Sequence, residues 1–191
     1  MADLRDAVAQ AGPMRILAIS GSLRERSLNT DLLRCAATIA PPPISVALWQ
    51  GLSAIPAFNP DVNDAPPPQV TAFRAQVAAA RGLLICSPEY AHGVAGQLKN
   101  ALDWLVGSGE LFGKPLVLIN ASSRATIAQA ALAETLQVMG ANIVLDIEIV
   151  PSGPGVAAGR FDPATESSLK DLLGALANAG EGGDWPAHEN G

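Results

Sequence analysis

The sequence predicts a single α/β domain whose five-stranded parallel sheet has the strand order 2-1-3-4-5. Three observations lead to this fold class. The chain has 191 residues, of which 49% are apolar, enough for one stable core. Five short apolar runs alternate with segments of helical spacing, as in an α/β protein. Those runs lack polar alternation, which indicates strands buried on both faces. With right-handed crossovers, 2-1-3-4-5 is a common order for five such units.

Each element follows from local signals along the chain. Helical spacing begins at Leu28, and three consecutive prolines at residues 41–43 stop that helix. Residues 50–68 read as a long loop rich in Pro, Asn and Asp, and loops of that length are commonly functional or interface-forming. Gly140 ends the fourth helix. The predicted strands are residues 16–19, 44–49, 82–87, 115–120 and 142–150. The predicted helices are a first one from Leu28, then residues 69–80, 94–106, 126–139 and 163–177.

The domain is expected to span residues 1–179, with residues 1–14 as an N-terminal arm and residues 180–191 as a disordered tail. The first residues lack the uninterrupted apolar stretch of a signal peptide. No apolar run reaches the roughly 18 residues of a membrane span. We therefore expect a cytoplasmic protein with no membrane partner.

Charge and cysteine content exclude further classes of function. The net charge of -6 and the pI near 4.8 give no basic footprint for nucleic acid. The two cysteines, Cys35 and Cys86, stand in a helical pattern and at a strand end, without a Cys-x-x-Cys motif. They read as small core residues rather than a redox or metal centre, so no metal is expected.

The loop after the first strand is rich in hydrogen-bond donors. It carries Ser20, Ser22, Arg24, Ser27 and Asn29 directly before or within the start of the first helix. Backbone amides and the helix dipole favour an anion at such a place, which predicts a phosphate-binding loop. The alternative is an ordinary β–α turn with a Ser or Asn helix cap. The NTPase pattern Gly-x4-Gly-Lys-Ser/Thr and the dinucleotide pattern Gly-x-Gly-x-x-Gly are both missing.

The loop after the third strand has the features of a site for a flat heterocycle. Pro88 forces the backbone away from the sheet, and Tyr90 offers an aromatic edge. Gly93 and Gly96 permit tight turns or close approach of a ligand to the main chain. A plain β–α turn with Tyr90 packed on its rim is the alternative. In a sheet of order 2-1-3-4-5, both loops lie at the switch point between strands 1 and 3.

Both loops resemble signatures of the NADPH-dependent FMN reductases, a flavodoxin-like family. The first match is Ser-Gly-Ser-Leu-Arg-x-x-Ser-x-Asn from Ser20, and the second is Pro-Glu-Tyr-x-x-Gly-x-x-Gly-x-Leu-Lys-Asn-Ala-x-Asp-Trp from Pro88. A segment of the loop after strand 2 is similar as well, so the resemblance spans roughly residues 15–150. It implies a flavodoxin-like three-layer sandwich that binds FMN and uses NADPH or NADH as co-substrate.

The resemblance also implies roles for individual residues. Those expected at the FMN phosphate and its approach are Ser20, Ser22, Arg24, Ser27 and Asn29. Those expected beside the isoalloxazine are Pro88, Glu89, Tyr90, Ala91 and Gly93, with Ser122 as a further donor. The chain departs from the family where Ala91 replaces a common Asn, where Ala95 replaces a common Pro, and where Ser122-Ser123-Arg124 replaces a glycine-rich loop. No side chain is assigned a catalytic role, because the flavin carries the chemistry.

Several single residues have two interpretations. His92 is predicted to be a solvent-facing loop residue, with proton donation as the alternative. Trp104 is predicted to be a core or interface residue, with a stacking platform as the alternative. For Glu89, an important backbone and a carboxylate paired with a basic residue across a subunit boundary are expected, with a role as general acid as the alternative. Lys99 and Asp103 are four residues apart on a helix and predict a surface ion pair. Arg124 is a candidate for the 2′-phosphate of NADPH.

The implied activity is hydride transfer from NAD(P)H to N5 of FMN, followed by reduction of a second substrate in a ping-pong scheme. That acceptor is a quinone, free flavin, an azo compound or a metal oxyanion. The family also implies a homo-oligomer, a dimer or a tetramer, with the 50–68 loop and the 94–106 helix as contact surfaces. One alternative is a non-enzymatic flavodoxin-type electron carrier, which would not oxidise NAD(P)H directly. The other alternative is a binding module that has lost flavin. It is suggested by Ala91, Ser122 and Ser123, which depart from the residues common in the family.

Overall fold

A parallel five-stranded sheet forms the centre of the protein, as seen in a computed structural model that describes residues 14–153 and 155–181. The strand order is β2-β1-β3-β6-β7, with every neighbouring pair parallel. Counting only the strands of this sheet, the order is the predicted 2-1-3-4-5. The strands are β1 (Met14–Ser20), β2 (Ile44–Trp49), β3 (Gly82–Cys86), β6 (Pro115–Asn120) and β7 (Asn142–Glu148), and a small separate hairpin adds β4 (Glu89–Tyr90) and β5 (Gly93–Val94).

Helices cover both faces of this sheet and bury its apolar side chains. They are α1 (Leu28–Ile39), α2 (Pro68–Ala79), α3 (Gly96–Asp103), α4 (Thr126–Val138) and α5 (Pro163–Glu181). α1 and α5 pack on one face, and α2, α3 and α4 pack on the other. Along β1, Leu17 and Ile19 enter one apolar cluster while Ile16 and Ala18 enter the other. Because alternate side chains of a strand point to opposite faces, the sheet contributes to two cores, one on each face. The predicted flavodoxin-like three-layer sandwich is therefore confirmed.

Several element boundaries differ from those predicted. The predicted helix over residues 94–106 begins with β5, and the helix proper is the shorter α3. The last helix does not end at residue 177 but continues to Glu181. Gly180 is buried in it, and its carbonyl accepts a hydrogen bond from Arg81. Residues 180 and 181, which were predicted to belong to the disordered tail, are therefore part of α5. Residues 182–191 and 1–13 lie outside the described part of the chain.

The long loop after β2 is fixed to α3 by side chains of that helix. Gln97 donates to the carbonyls of Leu52 and Ile55 at 2.9 and 2.7 Å. Asn100 Nδ2 and Trp104 Nε1 both donate to the Pro56 carbonyl, at 2.8 and 2.9 Å. The loop therefore packs on its own chain and is ordered by tertiary contacts. Asn100 and Trp104 of the second signature thus have a structural role, which is to hold this loop.

The apolar side of α3 is equally occupied inside the chain. Four residues on this side are at most 1% exposed and lie in the core shared with α2 and α4: Leu98, Ala101, Leu102 and Trp104. The prediction that the apolar positions of this helix form a subunit contact is therefore wrong for these residues. The prediction of Trp104 as a core residue is confirmed. Among the described helices, none is long and apolar enough to cross a membrane.

Candidate functional site

A cleft of about 310 Å³ opens at the carboxyl ends of β1, β3 and β6. It lies at the point where the strand order reverses, which is where open α/β sheets bind ligands. Three segments contribute to it: the start of α1, the loop after β3 and the loop after β6. The lining residues are Leu28, Asn29, Ser87, Pro88, Glu89, Asn120, Ala121, Ser122, Arg124 and Ala125.

The loop after β1 is organised by its own serine hydroxyls. Ser20 Oγ lies 2.8 Å from Thr30 Oγ1 and accepts a hydrogen bond from the Ser22 amide. Ser22 Oγ in turn accepts from the Arg24 amide at 3.3 Å. Ser27 caps α1 by accepting from the Thr30 amide at 3.4 Å, so the helix-cap interpretation holds for Ser27.

Capping by Ser27 leaves the first amides of α1 directed outward. Leu28 and Asn29 occupy the first two positions of the helix, whose N–H groups have no partner within the helix. Both residues line the cleft. The helix dipole adds partial positive charge at this end, so an anionic group of a ligand is favoured here.

Three of the predicted phosphate-loop residues face a neighbouring pocket instead. Ser20, Ser22 and Arg24 line a space of about 220 Å³ toward the end of β2, together with Trp49 and Ser53. The structure therefore separates the first loop into two sides. Asn29 is on the side of the central cleft, and these three residues are on the other.

The first and second loops are joined at the end of β3. The Gly21 amide donates to the Cys86 carbonyl at 2.9 Å. The Cys86 thiol donates to Asn29 Oδ1 at 3.1 Å, which orients the Asn29 side chain. Complete burial raises the pKa of the Cys86 thiol, so it stays protonated and serves as a core residue. Among the described residues, no group of three or more His, Cys, Asp or Glu side chains could hold a metal.

The loop after β3 forms the β4–β5 hairpin. Tyr90 pairs with Gly93, and the two residues between them, Ala91 and His92, have left-handed φ angles of 49° and 61°. Two positive φ values in a two-residue turn define the type I′ geometry that suits a hairpin. The tight turn is therefore made by Ala91 and His92 rather than by Gly93 or Gly96. Close approach of a ligand to the main chain at these glycines stays a prediction.

Glu89 lies at the base of this hairpin and reaches the third loop. Its Oε2 accepts a hydrogen bond from the Ala128 amide at 2.8 Å, in the first turn of α4. Its Oε1 lies 3.1 Å from His92 Nδ1. These bonds, first that from Ala128 and then those with His92, lower the pKa of Glu89. The carboxylate is thus engaged within its own chain, where a partner across a subunit boundary was expected.

The loop after β6 is held by Asn120. Its Nδ2 donates to the Ala125 carbonyl at 3.2 Å, and its Oδ1 accepts from the Ser122 amide at 3.0 Å. Ser122 Oγ accepts from the Arg124 amide at 3.4 Å. Asn120 and Ser122 thus hold the loop through hydrogen bonds within it, and the exposed Arg124 lines the cleft.

The structure brings together part of the predicted site. Four predicted residues line the central cleft: Asn29, Pro88, Glu89 and Ser122. Tyr90, Ala91 and Gly93 belong to the hairpin outside the lining, and Tyr90 is 52% exposed. Their roles toward a cofactor stay predictions. Sequence reasoning missed Leu28, Ser87, Asn120, Ala121 and Ala125 as lining residues. The available signal was position along the chain: Ser87 and Asn120 end the predicted third and fourth strands, Ala121 follows the fourth, and Leu28 begins the first helix.

The cleft fits FMN by its donor chemistry. The open amides of α1 suit a phosphate or ribityl oxygens, and the Asn120 and Ser122 side chains add polar groups on the opposite side. Pro88, Ala121 and Ala125 contribute apolar surface of the kind that a flavin ring needs. The fold and this cleft together define a flavodoxin-like protein whose cleft has the chemistry to suit a phosphorylated aromatic ligand.

Comparison with known proteins agrees with that class. A sequence profile of the NADPH-dependent FMN reductases matches residues 14–154. The quinone reductase of Escherichia coli (strain K12) is 33% identical over 181 residues, which cover 88% of this chain and 94% of that protein. An NAD(P)H-dependent FMN reductase of Pseudomonas aeruginosa is 42% identical over 113 residues. That alignment covers 58% of this chain and 60% of the relative, so it spans less than two thirds of the relative's length.

Solved structures extend the likeness to three dimensions. The flavoenzyme NAD(P)H:(acceptor) oxidoreductase of Paracoccus denitrificans superposes with a TM-score of 0.70 at 25% identity. The superposition covers 88% of this chain and 97% of that one. The chain belongs to the NADPH-dependent FMN reductase family. It is an oxidoreductase with FMN as its cofactor and NAD(P)H as the associated reductant.

Proposed function

We propose that this protein oxidises NAD(P)H through FMN bound in the central cleft and reduces a quinone as its second substrate, in a ping-pong sequence. The observation that carries the proposal is the position of the cleft, bounded by the two signature loops and the third loop at the switch point of the sheet. The quinone reductase of Escherichia coli and a 2-hydroxy-1,4-benzoquinone reductase of Burkholderia sp. support the choice of acceptor.

FMN supplies hydride acceptance at N5 and onward transfer of two electrons when it is bound. The chain supplies binding and orientation. The backbone amides of Leu28 and Asn29 would hold anionic oxygens at the start of α1. The Asn29 side chain beside them is oriented by the Cys86 thiol. Pro88 and Glu89 would bound the ring on one side of the cleft, and Ser122 would lie on the other.

Arg124 is proposed to contact the phosphate of NADPH. It is exposed at the mouth of the cleft, and a guanidinium matches phosphate oxygens with two parallel N–H groups. Arg124→Ala should raise the KM for NADPH about tenfold and leave that for NADH nearly unchanged. An equal change for both nucleotides would contradict this role.

The reaction is tested anaerobically. The purified protein is reconstituted with FMN, mixed with one equivalent of NADPH and followed at the main visible absorbance band of the flavin. Bleaching, and recovery of the band when 1,4-benzoquinone is added, are expected. Parallel lines in double-reciprocal plots at several quinone concentrations would support the ping-pong order. A bound flavin whose band does not change with NADPH or NADH would favour the electron-carrier alternative.

We also propose that the protein is cytoplasmic and works as a homo-oligomer. The free thiols of Cys35 and Cys86 suit a reducing compartment. Val106, Phe112 and Val138 are 62%, 76% and 83% exposed around one groove beside α3 and α4. Such an apolar patch is typical of a protein contact, and a second copy of this chain is the proposed occupant. Sedimentation showing a monomer at micromolar concentration would argue against it.

A further inference from the structure

The side chain of Glu89 crosses from one side of the central cleft to the other. Its backbone belongs to the loop after β3, whereas its Oε2 accepts from the Ala128 amide of α4, 39 residues further along the chain. The side chain is only 12% exposed, and its second oxygen lies beside His92. Both carboxylate oxygens are therefore engaged, and each engagement restrains a different segment.

α4 depends on this carboxylate for its N-terminal cap. The residue before the helix is Ala125, which has no side-chain acceptor for the amides of the first turn. Those amides need an acceptor, and the positive end of the helix dipole favours a negative one. Glu89, which belongs to a different element, supplies both the hydrogen-bond acceptor and the negative charge. The carboxylate is thus a tertiary cap rather than a local one.

The hairpin that carries Glu89 is weakly defined by its own contacts. Each of its strands has two residues, and its turn places Ala91 and His92 in the left-handed region. A two-stranded hairpin of this size is marginal on its own, and non-glycine residues with positive φ carry a conformational cost. Its position relative to the cleft therefore depends on ties to the rest of the chain.

The Glu89–Ala128 bond spans the two loops between which the flavin would lie. Pro88 and Glu89 line one side, and Ser122, Arg124 and Ala125 line the other, immediately before α4. We infer that Glu89 is a positioning residue that sets the separation of these two loops and thereby the orientation of the flavin ring. The inference rests on the proposed binding of FMN in this cleft. The hydrogen bond from the Ala128 amide lowers the pKa of Glu89, as expected for a carboxylate that accepts from a helix N-terminus.

Glu89→Ala is the first test, read by titrating apoprotein with FMN and following the quenching of flavin fluorescence. We expect the Kd of FMN to rise about tenfold or more, the effect of losing a hydrogen bond to a charged group. The visible circular dichroism of bound flavin should change as well, because it reports the surroundings of the ring. Glu89→Gln keeps the length and one acceptor oxygen, so it should recover most of the affinity.

A second substitution separates positioning from simple helix capping. Thr126 is exposed at the start of α4 and does not line the cleft, so Thr126→Asp gives the helix a carboxylate of its own. In Glu89→Ala/Thr126→Asp, the melting temperature should recover while the Kd and the dichroism stay altered. Glu134→Ala, which removes an exposed carboxylate elsewhere on α4, is the matched control and should leave both flavin measurements unchanged.

Two results would overturn the inference. One is an unchanged Kd and dichroism in Glu89→Ala, and the other is recovery of both when Thr126→Asp is added. If Glu89→Ala does not fold, Glu89→Asp replaces it, because it keeps the charge but shortens the side chain and should raise the Kd. Failure of the wild-type chain to bind FMN would overturn the proposed function itself, whereas normal binding by wild type and Glu89→Ala alike overturns the positioning role alone.

Discussion

Gly21 and Ser87 are packed so closely that no side chain fits between them. A Cβ added at Gly21 would lie 2.3 Å from Ser87 Oγ and 2.9 Å from Ser87 Cβ. The Gly21 amide also donates to the carbonyl of Cys86, the residue before Ser87. The first loop is thus seated directly on the second, at the switch point of the sheet. Glycine is required at position 21 for this close approach.

Gly21→Ala should push the first two loops apart. We expect a loss of roughly 1–3 kcal/mol in the free energy of unfolding, the usual cost of overpacking, measured by urea denaturation. Ser87 lines the cleft, so FMN affinity should fall as well. Gly174→Ala is the control, since a Cβ at this position in α5 meets no atom within 4 Å. It should stabilise the protein by up to about 1 kcal/mol. Equal effects of the two substitutions would contradict the role of Gly21.

Asn100 should matter for the loop after β2 rather than for the cofactor. Its Oδ1 accepts from the Phe58 amide at 2.8 Å while its Nδ2 donates to the Pro56 carbonyl. Asn100→Ala should cost about 1–2 kcal/mol and accelerate hydrogen exchange of the Phe58 amide. Asn142→Ala, at an exposed position of β7, should stay within about 0.5 kcal/mol of wild type. A large change in FMN affinity in Asn100→Ala would argue for a direct role at the site.

Most of the fold could be predicted from local pattern. The apolar runs of β1, β3 and β6 are buried on both faces, and such strands carry their signal in every residue. The Lys99–Asp103 ion pair was predictable from helical spacing and is present at 2.6 Å. The hairpin over residues 89–94 was missed because its two-residue strands have no periodicity to read.

The site was less predictable because its contacts join distant residues. Glu89 caps a helix 39 residues away, and Asn100 holds a loop 42 residues before it. A motif marks such residues as important without saying which partner each one has. The first loop shows a second limit of the sequence. Spacing placed Ser20, Ser22 and Arg24 in that loop but could not show that they face the pocket near β2 rather than the central cleft.

Ala91→Asn should stabilise the protein. Ala91 has a φ of 49°, a region that costs a non-glycine residue about 1–2 kcal/mol and that Asn tolerates better. We expect a gain of roughly 0.5–1 kcal/mol, seen as a higher melting temperature. Ala57→Asn, in the exposed loop after β2, is the control and should have little effect. Equal shifts in the two variants would mean that backbone strain at residue 91 is not being relieved.

Because of Lys114, the free energy of unfolding should change with pH in the alkaline range. Its side chain is buried, and Nζ donates to the Ala80 carbonyl at 2.5 Å just beyond the end of α2. Desolvation, opposed in part by the Glu110 carboxylate, lowers the pKa of Lys114 from 10.5 to about 8. Between these two values the unfolded chain binds more protons than the folded one, so this residue makes the free energy of unfolding rise with pH.

The measurement is a comparison of wild type with Lys114→Met by urea denaturation at several pH values between about 8 and 10. The difference in unfolding free energy, wild type minus variant, should increase across this window. Lys170→Met, an exposed lysine of α5, is the control, and its difference from wild type should change less with pH. A constant difference for Lys114→Met would show that its ammonium group is as well stabilised in the folded chain as in water.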